Sequence, residues 1–167
     1  MALLEWNDAL SLDLPLMDDT HREFVELVTH LERASDHELL PLWQTLVDHT
    51  EGHFGQEDRW MAATRFASGN CHAIQHKVVL QVLNEALQQV QDGREGAPLL
   101  RRLTQELAVW FPQHAQSMDA ALALHLRRVG FDPLTGQVHA PEALPDDLIE
   151  GCGGGSCSTH PSEAVAG

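Results

Sequence analysis

Basic residues are scarce in this chain. Lysine occurs once, at Lys77, and Lys plus Arg number 10 against 25 Asp plus Glu, for a formal net charge of −15. Binding to nucleic-acid phosphates needs a basic face, and a membrane-surface helix needs a basic stripe. Neither a nucleic acid nor a membrane is therefore expected as a partner. Long apolar runs are also missing: none approaches the ~18 residues of a membrane span. The start, Met1 to Asp8, carries acids and no positive charge, so it does not read as a signal peptide. Three cysteines, an odd count, in a chain without a leader point to a cytoplasmic protein. Strand signals are absent, with no alternating β-branched run and no Asn-Gly hairpin turn. No internal repeat, phosphate loop or hydrolase motif is found.

What is present is helical pattern. The 167 residues suffice for one domain of ordinary size. Within residues 1–130, four apolar stripes at 3,4 spacing predict four long helices. The first follows Pro15, with Asp18, Asp19 and Thr20 as capping oxygens, and ends near Ala34. The second starts at Ser35 or Asp36, holds Pro41 in its first turns and runs to about Ala63. The third is capped by Asn70, carries Ile74, Val78, Val79, Val82, Leu83 and Leu87, and stops at Asp92-Gly93. The fourth starts near Pro98 and ends at Val129-Gly130, with glycine as the stop. Short loops force antiparallel neighbours, so an all-α, up-down-up-down four-helix bundle is expected, with residues 1–17 as an extended arm.

The composition changes after Gly130. Residues 131–167 hold six acids, no Lys or Arg, four of the eight prolines and six of the twelve glycines. Such a segment has little to bury and reads as a largely disordered tail, or one laid loosely on the domain. It contains Cys152-Gly153-Gly154-Gly155-Ser156-Cys157, whose thiols can close a small disulfide or meet a metal. A protein partner through this tail has no further support.

Histidine is the unusual residue, with eleven copies against ten Lys plus Arg. His53 and Glu57 are four apart, as are His72 and His76. On a helix each pair lies on one face, one turn apart. His21 lies on the first helix beside its apolar stripe, and His114 and Asp119 lie on the fourth. All four helices can therefore send ligands inward. A single histidine on an apolar face is usually a satisfied core residue, and His30, His37, His49, His125, His139 and His160 read as surface. Five imidazoles and two carboxylates buried together without a partner would be very costly, and an ion satisfies them all.

Seven ligands exceed a tetrahedral zinc site. They suit two borderline transition ions sharing bridges. With two bridging carboxylates and a bridging oxide or hydroxide, three imidazoles fill one ion to six-coordination. The other two bring its partner to five, leaving one open position. Pro112 sits two residues before His114, and His114 and Asp119 are five apart, about 140° off a common face on an ideal helix. Both features predict a widened turn in residues 108–119.

In that order on four helices, His21, His53-x3-Glu57, His72-x3-His76 and His114-x4-Asp119 resemble the hemerythrins, non-heme di-iron oxygen-binding proteins. The His76–His114 interval is similar to the prokaryotic single-domain kind. Glu5-Trp6, His53-Phe54, Glu57-Asp58, Met61 and Trp110 add to the match, which covers residues 1 to about 130. The resemblance implies two iron ions, oxo- or hydroxo-bridged. His72, His76 and His114 would bind the filled ion, His21 and His53 the open one, and Glu57 and Asp119 would bridge. Molecular oxygen would bind at the open ion. Phe24, Phe54, Trp110 and Phe111 are candidates to line a dry pocket. Gln116 falls where oxygen carriers have an aliphatic pocket residue, and so places a polar group there. The function implied is reversible oxygen binding by a non-enzymatic carrier, store or delivery protein. The alternatives are an oxygen or redox sensor, and a di-iron protein handling peroxide or nitric oxide. The Glu-x-x-His pairs of ferritin-like oxidases do not occur here.

Overall fold

The computed structural model describes residues 1–151. Four helical rods form the expected antiparallel bundle: α1 (Pro15–Arg33), α2 (Asp36–Ala63), α3 (Cys71–Gln91), and a fourth rod made of α4 (Ala97–His114), a π-helical turn (Ala115–Asp119) and α5 (Ala120–Arg128). No helix among the described residues is long and apolar enough to cross a membrane.

The helix ends follow local chemistry. Pro15 opens α1 at a position where its missing amide costs nothing. Asp18 does not cap α1. It reaches back to the arm, accepting from the Leu12 amide at 2.8 Å and the Ser11 hydroxyl at 2.7 Å. Ser35 and Glu38 close α2, the Glu38 carboxylate accepting from the Ser35 amide at 2.9 Å. Asn70 caps α3 by accepting from the Ala73 amide at 3.0 Å. Gly130 ends the fourth rod with φ +58°, and a Cβ there would sit 3.2 Å from Cβ of His139.

Two apolar clusters fill the bundle, one toward each end. One gathers Phe24, Leu31, Trp43, Leu83, Leu100 and Phe111. The other gathers Met17, Trp60, Met61, Phe66, Leu122 and Leu126. On α1, His21 falls between Met17 and Phe24; on α2, His53 and Glu57 fall between Val47 and Trp60. A polar layer is thus sandwiched between two dry ones.

Helix α3 is rotated relative to its apolar stripe. Ile74, Val78 and Val82 are exposed, and its buried face is His72, Ala73, His76, Leu83, Ala86 and Leu87. The histidines, not the valines, set which face turns inward.

The arm lies along the bundle with Leu4, Leu10, Leu12 and Leu14 buried. Arg22 stacks over Trp6 at 4.6 Å, and Arg127 donates to the Leu12 carbonyl at 2.6 Å.

The disorder expected after Gly130 does not extend to residues 131–151, which are laid on the domain. Phe131 is buried, and its backbone pairs with Val138. The Ile149 amide and carbonyl bond to Arg65 and Ala67 at 2.8 and 2.9 Å, and the Cys71 amide donates to Glu150 at 3.1 Å. The physical reason is sparse but well-placed apolar content: Phe131, Val138, Leu144 and Ile149 each reach the cluster of Met17, Trp60 and Phe66. Cys152, Cys157 and His160 lie outside the described residues.

Candidate metal centre

Seven titratable side chains meet in the middle layer: His21 from α1, His53 and Glu57 from α2, His72 and His76 from α3, His114 from α4 and Asp119 from the π turn. All seven are buried. Each α2 or α3 pair shares a helix face as its spacing requires. His114 and Asp119 share one because the π turn takes one more residue per turn than an α-helix. The irregularity expected in residues 108–119 is this turn, and it begins just after Pro112 and the end of α4.

The two carboxylates lie at the centre, and each divides its oxygens between two groups of imidazoles. Oε1 of Glu57 is 2.9 Å from Nε2 of His53 and 3.7 Å from Nε2 of His21. Oδ2 of Asp119 is 3.2 Å from Nε2 of His21. On the other side, Oε2 of Glu57 is 3.4 Å from Nε2 of both His72 and His76. Oδ1 of Asp119 is 3.0 Å from Nε2 of both His72 and His114. Two imidazoles therefore face one pair of oxygens and three face the other.

Within each group the donor atoms lie within 4.8 Å of one another, Glu57, His72, His76, His114 and Asp119 in one and His21, His53 and Glu57 in the other. Ligand atoms about 2.1 Å from a shared ion and at right angles lie about 3.0 Å apart, so the spacing suits metal ligation. Nε2 of His21, His72, His76 and His114, Oε2 of Glu57 and both oxygens of Asp119 are buried with no hydrogen-bond partner among the described residues. Orphaned buried donors and acceptors in this number are strongly unfavourable unless an ion takes them up.

The electrostatics agree. Burial alone would raise the Asp119 carboxyl, but His114 and His21 hold it well below the carboxylate range. Glu57 is likewise held far down against burial, by the charge of His53 first and by the facing imidazoles of His21, His53 and His72. Burial would lower His21 and His72, yet Asp119 and Glu57 push them up to about 10 and about 9. Imidazoles and carboxylates stabilise each other's charge, and a cation can replace the imidazole protons.

A second layer holds two of the rings. Nδ1 of His76 is 2.9 Å from Oδ1 of Asp58, and Nδ1 of His114 meets Oε1 of Gln75. Aromatic rings close the layer. Phe54 stacks on His76 with centroids 3.9 Å apart, Trp110 stacks on His114 at 4.6 Å, and Phe111 stands edge-on to His21 at 5.2 Å. Phe24 reaches the site through Phe111, 4.7 Å away.

Three sequence readings change. Gln116 is exposed and donates to the Ala9 carbonyl at 3.2 Å, so no polar group enters the pocket from it. His49 is not a surface residue: it is half-buried, 6.1 Å from the His53 ring, with Nε2 3.1 Å from Glu23. His125 is half-buried too, bonded to the Thr64 carbonyl at 2.8 Å. Asp58 and Gln75 were without a role in the sequence. Asp58 is signalled only as part of the matching Glu57-Asp58 pair, and Gln75 only by its place next to His76 on the same helix.

The family model described as hemerythrin HHE cation binding domain matches residues 12–124. The chain is 33% identical over 132 residues to a bacteriohemerythrin of Ralstonia nicotianae, covering 79% of this chain and 95% of that one. It is 28% identical over 130 residues to a bacteriohemerythrin of Stenotrophomonas maltophilia, covering 74% and 81%. A bacteriohemerythrin of Pseudomonas aeruginosa is 27% identical over 124 residues, with 72% and 79% covered.

Proposed function

The chain belongs to the hemerythrin family, and from that premise we propose that it reversibly binds molecular oxygen at a di-iron centre. The observation that carries the reading is the division of the Glu57 and Asp119 oxygens between two imidazoles and three. His72, His76 and His114 would hold one iron and His21 and His53 the other, with Glu57 and Asp119 shared between them. The iron pair, when bound, would supply the two electrons that a bound diatomic takes up. Phe111 and Phe54 keep water from the rings they cover, which favours return of an uncharged diatomic over loss of a charged, reduced one. The protein in this reading is a cytoplasmic carrier, store or delivery protein and not an enzyme. Among the described residues, the carboxylates paired with the inward Nε2 atoms of the five imidazoles are Glu57 and Asp119.

The test is reconstitution with ferrous iron under anaerobic conditions, iron analysis, and repeated exposure to air and vacuum. Two irons per chain and a visible band that appears in air and bleaches in vacuum support the proposal. Irreversible colouring on first exposure, or uptake of zinc in preference with no oxygen response, overturns it.

A further inference from the structure

All five imidazoles turn Nε2 toward the two carboxylates, which leaves Nδ1 of each ring for the surroundings. The surroundings differ. Nδ1 of His76 lies 2.9 Å from a carboxylate oxygen of Asp58, and Nδ1 of His114 meets the amide oxygen of Gln75. Nδ1 of His21, His53 and His72 is buried with no hydrogen-bond partner among the described residues. Both braced rings therefore belong to the three-imidazole group and neither ring of the two-imidazole group is braced.

An acceptor on Nδ1 acts on a metal-binding imidazole in three ways. It places the ring proton on Nδ1, so that Nε2 presents its lone pair inward. It fixes the ring orientation, and it raises the donor strength of Nε2. The side-chain bonds of Asp58 and Gln75 at this site go to the outer nitrogens of the His76 and His114 rings, and their influence on those rings acts through Nδ1. The Asp58 side chain is 42% exposed, which leaves it solvated and available as an acceptor without a burial cost.

We propose that Asp58 and Gln75 are positioning residues that make the His72, His76 and His114 side the tighter of two metal positions, so that the two ions load in sequence, that side first. The inference rests on the di-iron reading above. Sequential loading also has a structural logic. The first ion gathers α3, α4 and the two bridging carboxylates. The second then meets Glu57 and Asp119 already oriented and needs only His21 and His53.

The experiment titrates cobalt(II), a probe with visible and paramagnetic signatures, into metal-free full-length protein. Wild type is compared with Asp58→Leu, Gln75→Leu, Asp58→Glu and the exposed control Lys77→Ala, with circular dichroism verifying helix content. Wild type and Lys77→Ala are expected to take two ions in two resolved steps. Asp58→Leu and Gln75→Leu each remove the acceptor and are each expected to weaken the first step about 10–100-fold and leave the second unchanged. Proton spectra should show one hyperfine-shifted ring N–H displaced in each leucine variant, and Asp58→Glu should keep the one displaced in Asp58→Leu. Uptake of two ions with both steps unchanged, both weakened alike, or only the second weakened overturns the brace and leaves the di-iron reading intact. Uptake of a single ion by wild type, weakened by Asp58→Leu, overturns the two-ion reading and supports the brace.

Discussion

His114 and Asp119 are five residues apart on one helical rod, yet Nε2 of the first lies 3.0 Å from Oδ1 of the second. A regular α-helix would carry Asp119 well off the face of His114. The π turn at Ala115–Asp119 absorbs the difference, and the backbone on both sides stays right-handed helical. Pro112 lies one turn before it and removes one amide donor from α4.

We expect the pairing, rather than the proline, to hold the turn. Pro112→Ala is therefore expected to stabilise the protein by about 1–3 kcal/mol, since the helix regains a bond and loses a clash. The same variant should keep its metal stoichiometry. Thermal melts and iron analysis check both. A variant whose turn reverts to α-helix and whose metal is lost would assign the irregularity to Pro112.

Metal removal should cost much of the fold's stability, because binding energy at such a site is folding energy. At a free metal concentration 1,000 times the dissociation constant, linkage gives about 4 kcal/mol. For a domain of this size that is roughly 8–16 °C in Tm. Melts before and after anaerobic chelation measure the difference. Equal Tm values would mean that the seven side chains are satisfied without an ion.

The chelated protein should also show an inverse pH dependence on the alkaline side. In the folded state His21 and His72 are pushed up to about 10 and about 9 from an ordinary 6.5. Groups whose folded values are raised contribute stability that is complete below pH 6.5. That stability is lost as pH rises through 9 to 10. Tm of the metal-free form should fall between pH 6.5 and 10, while metal affinity rises over the same interval as the imidazole protons leave. A Tm that climbs with pH in the absence of metal would contradict the charge pairing with Asp119 and Glu57.

Much of this centre is legible in the sequence because it is written in local spacing. His53 with Glu57 and His72 with His76 declare a shared face, and the five-residue step to Asp119 declares a widened turn. The rotation of α3 is less legible. Its Ile74, Val78 and Val82 form a credible core stripe, and only the inward demand of two histidines turns that stripe to solvent. Asp58 and Gln75 could not be read as braces, since the rings they hold are on other helices, 18 and 39 residues away. His49 is hidden for a similar reason, as its partner Glu23 is on α1. Composition misleads for residues 131–151, where a few apolar anchors outweigh an acidic, proline-rich average.

If the proposed open position is on the His21–His53 side, small anions should act there. Azide added to the oxidised protein should bind less well in His21→Ala than in the exposed variant Lys77→Ala. Phe111 stands edge-on to His21, so Phe111→Ala should lower stability by about 3–5 kcal/mol and admit water beside that ring. Its coloured oxygenated form should decay faster than that of wild type. An azide complex located on the three-imidazole side would reverse the assignment of the vacancy.

The segment after the bundle gives the last prediction. Phe131 and Ile149 pack on the cluster of Trp60, Phe66 and Leu126, and Ile149 and Glu150 pair with the chain between α2 and the start of α3. That connection leads directly into His72. Removing residues 131–167 should therefore lower Tm, through lost burial of two large apolar side chains worth about 1.5–3 kcal/mol each. Removing only residues 152–167 keeps those contacts and should lower it less. The metal ligands all lie upstream of Gly130, so both truncated proteins should still take up two irons and respond reversibly to air. The diagnostic quantity is the difference between the two truncations in melting temperature, set against equal iron content. If the two truncated proteins melt alike, the contacts of residues 131–151 contribute nothing to stability.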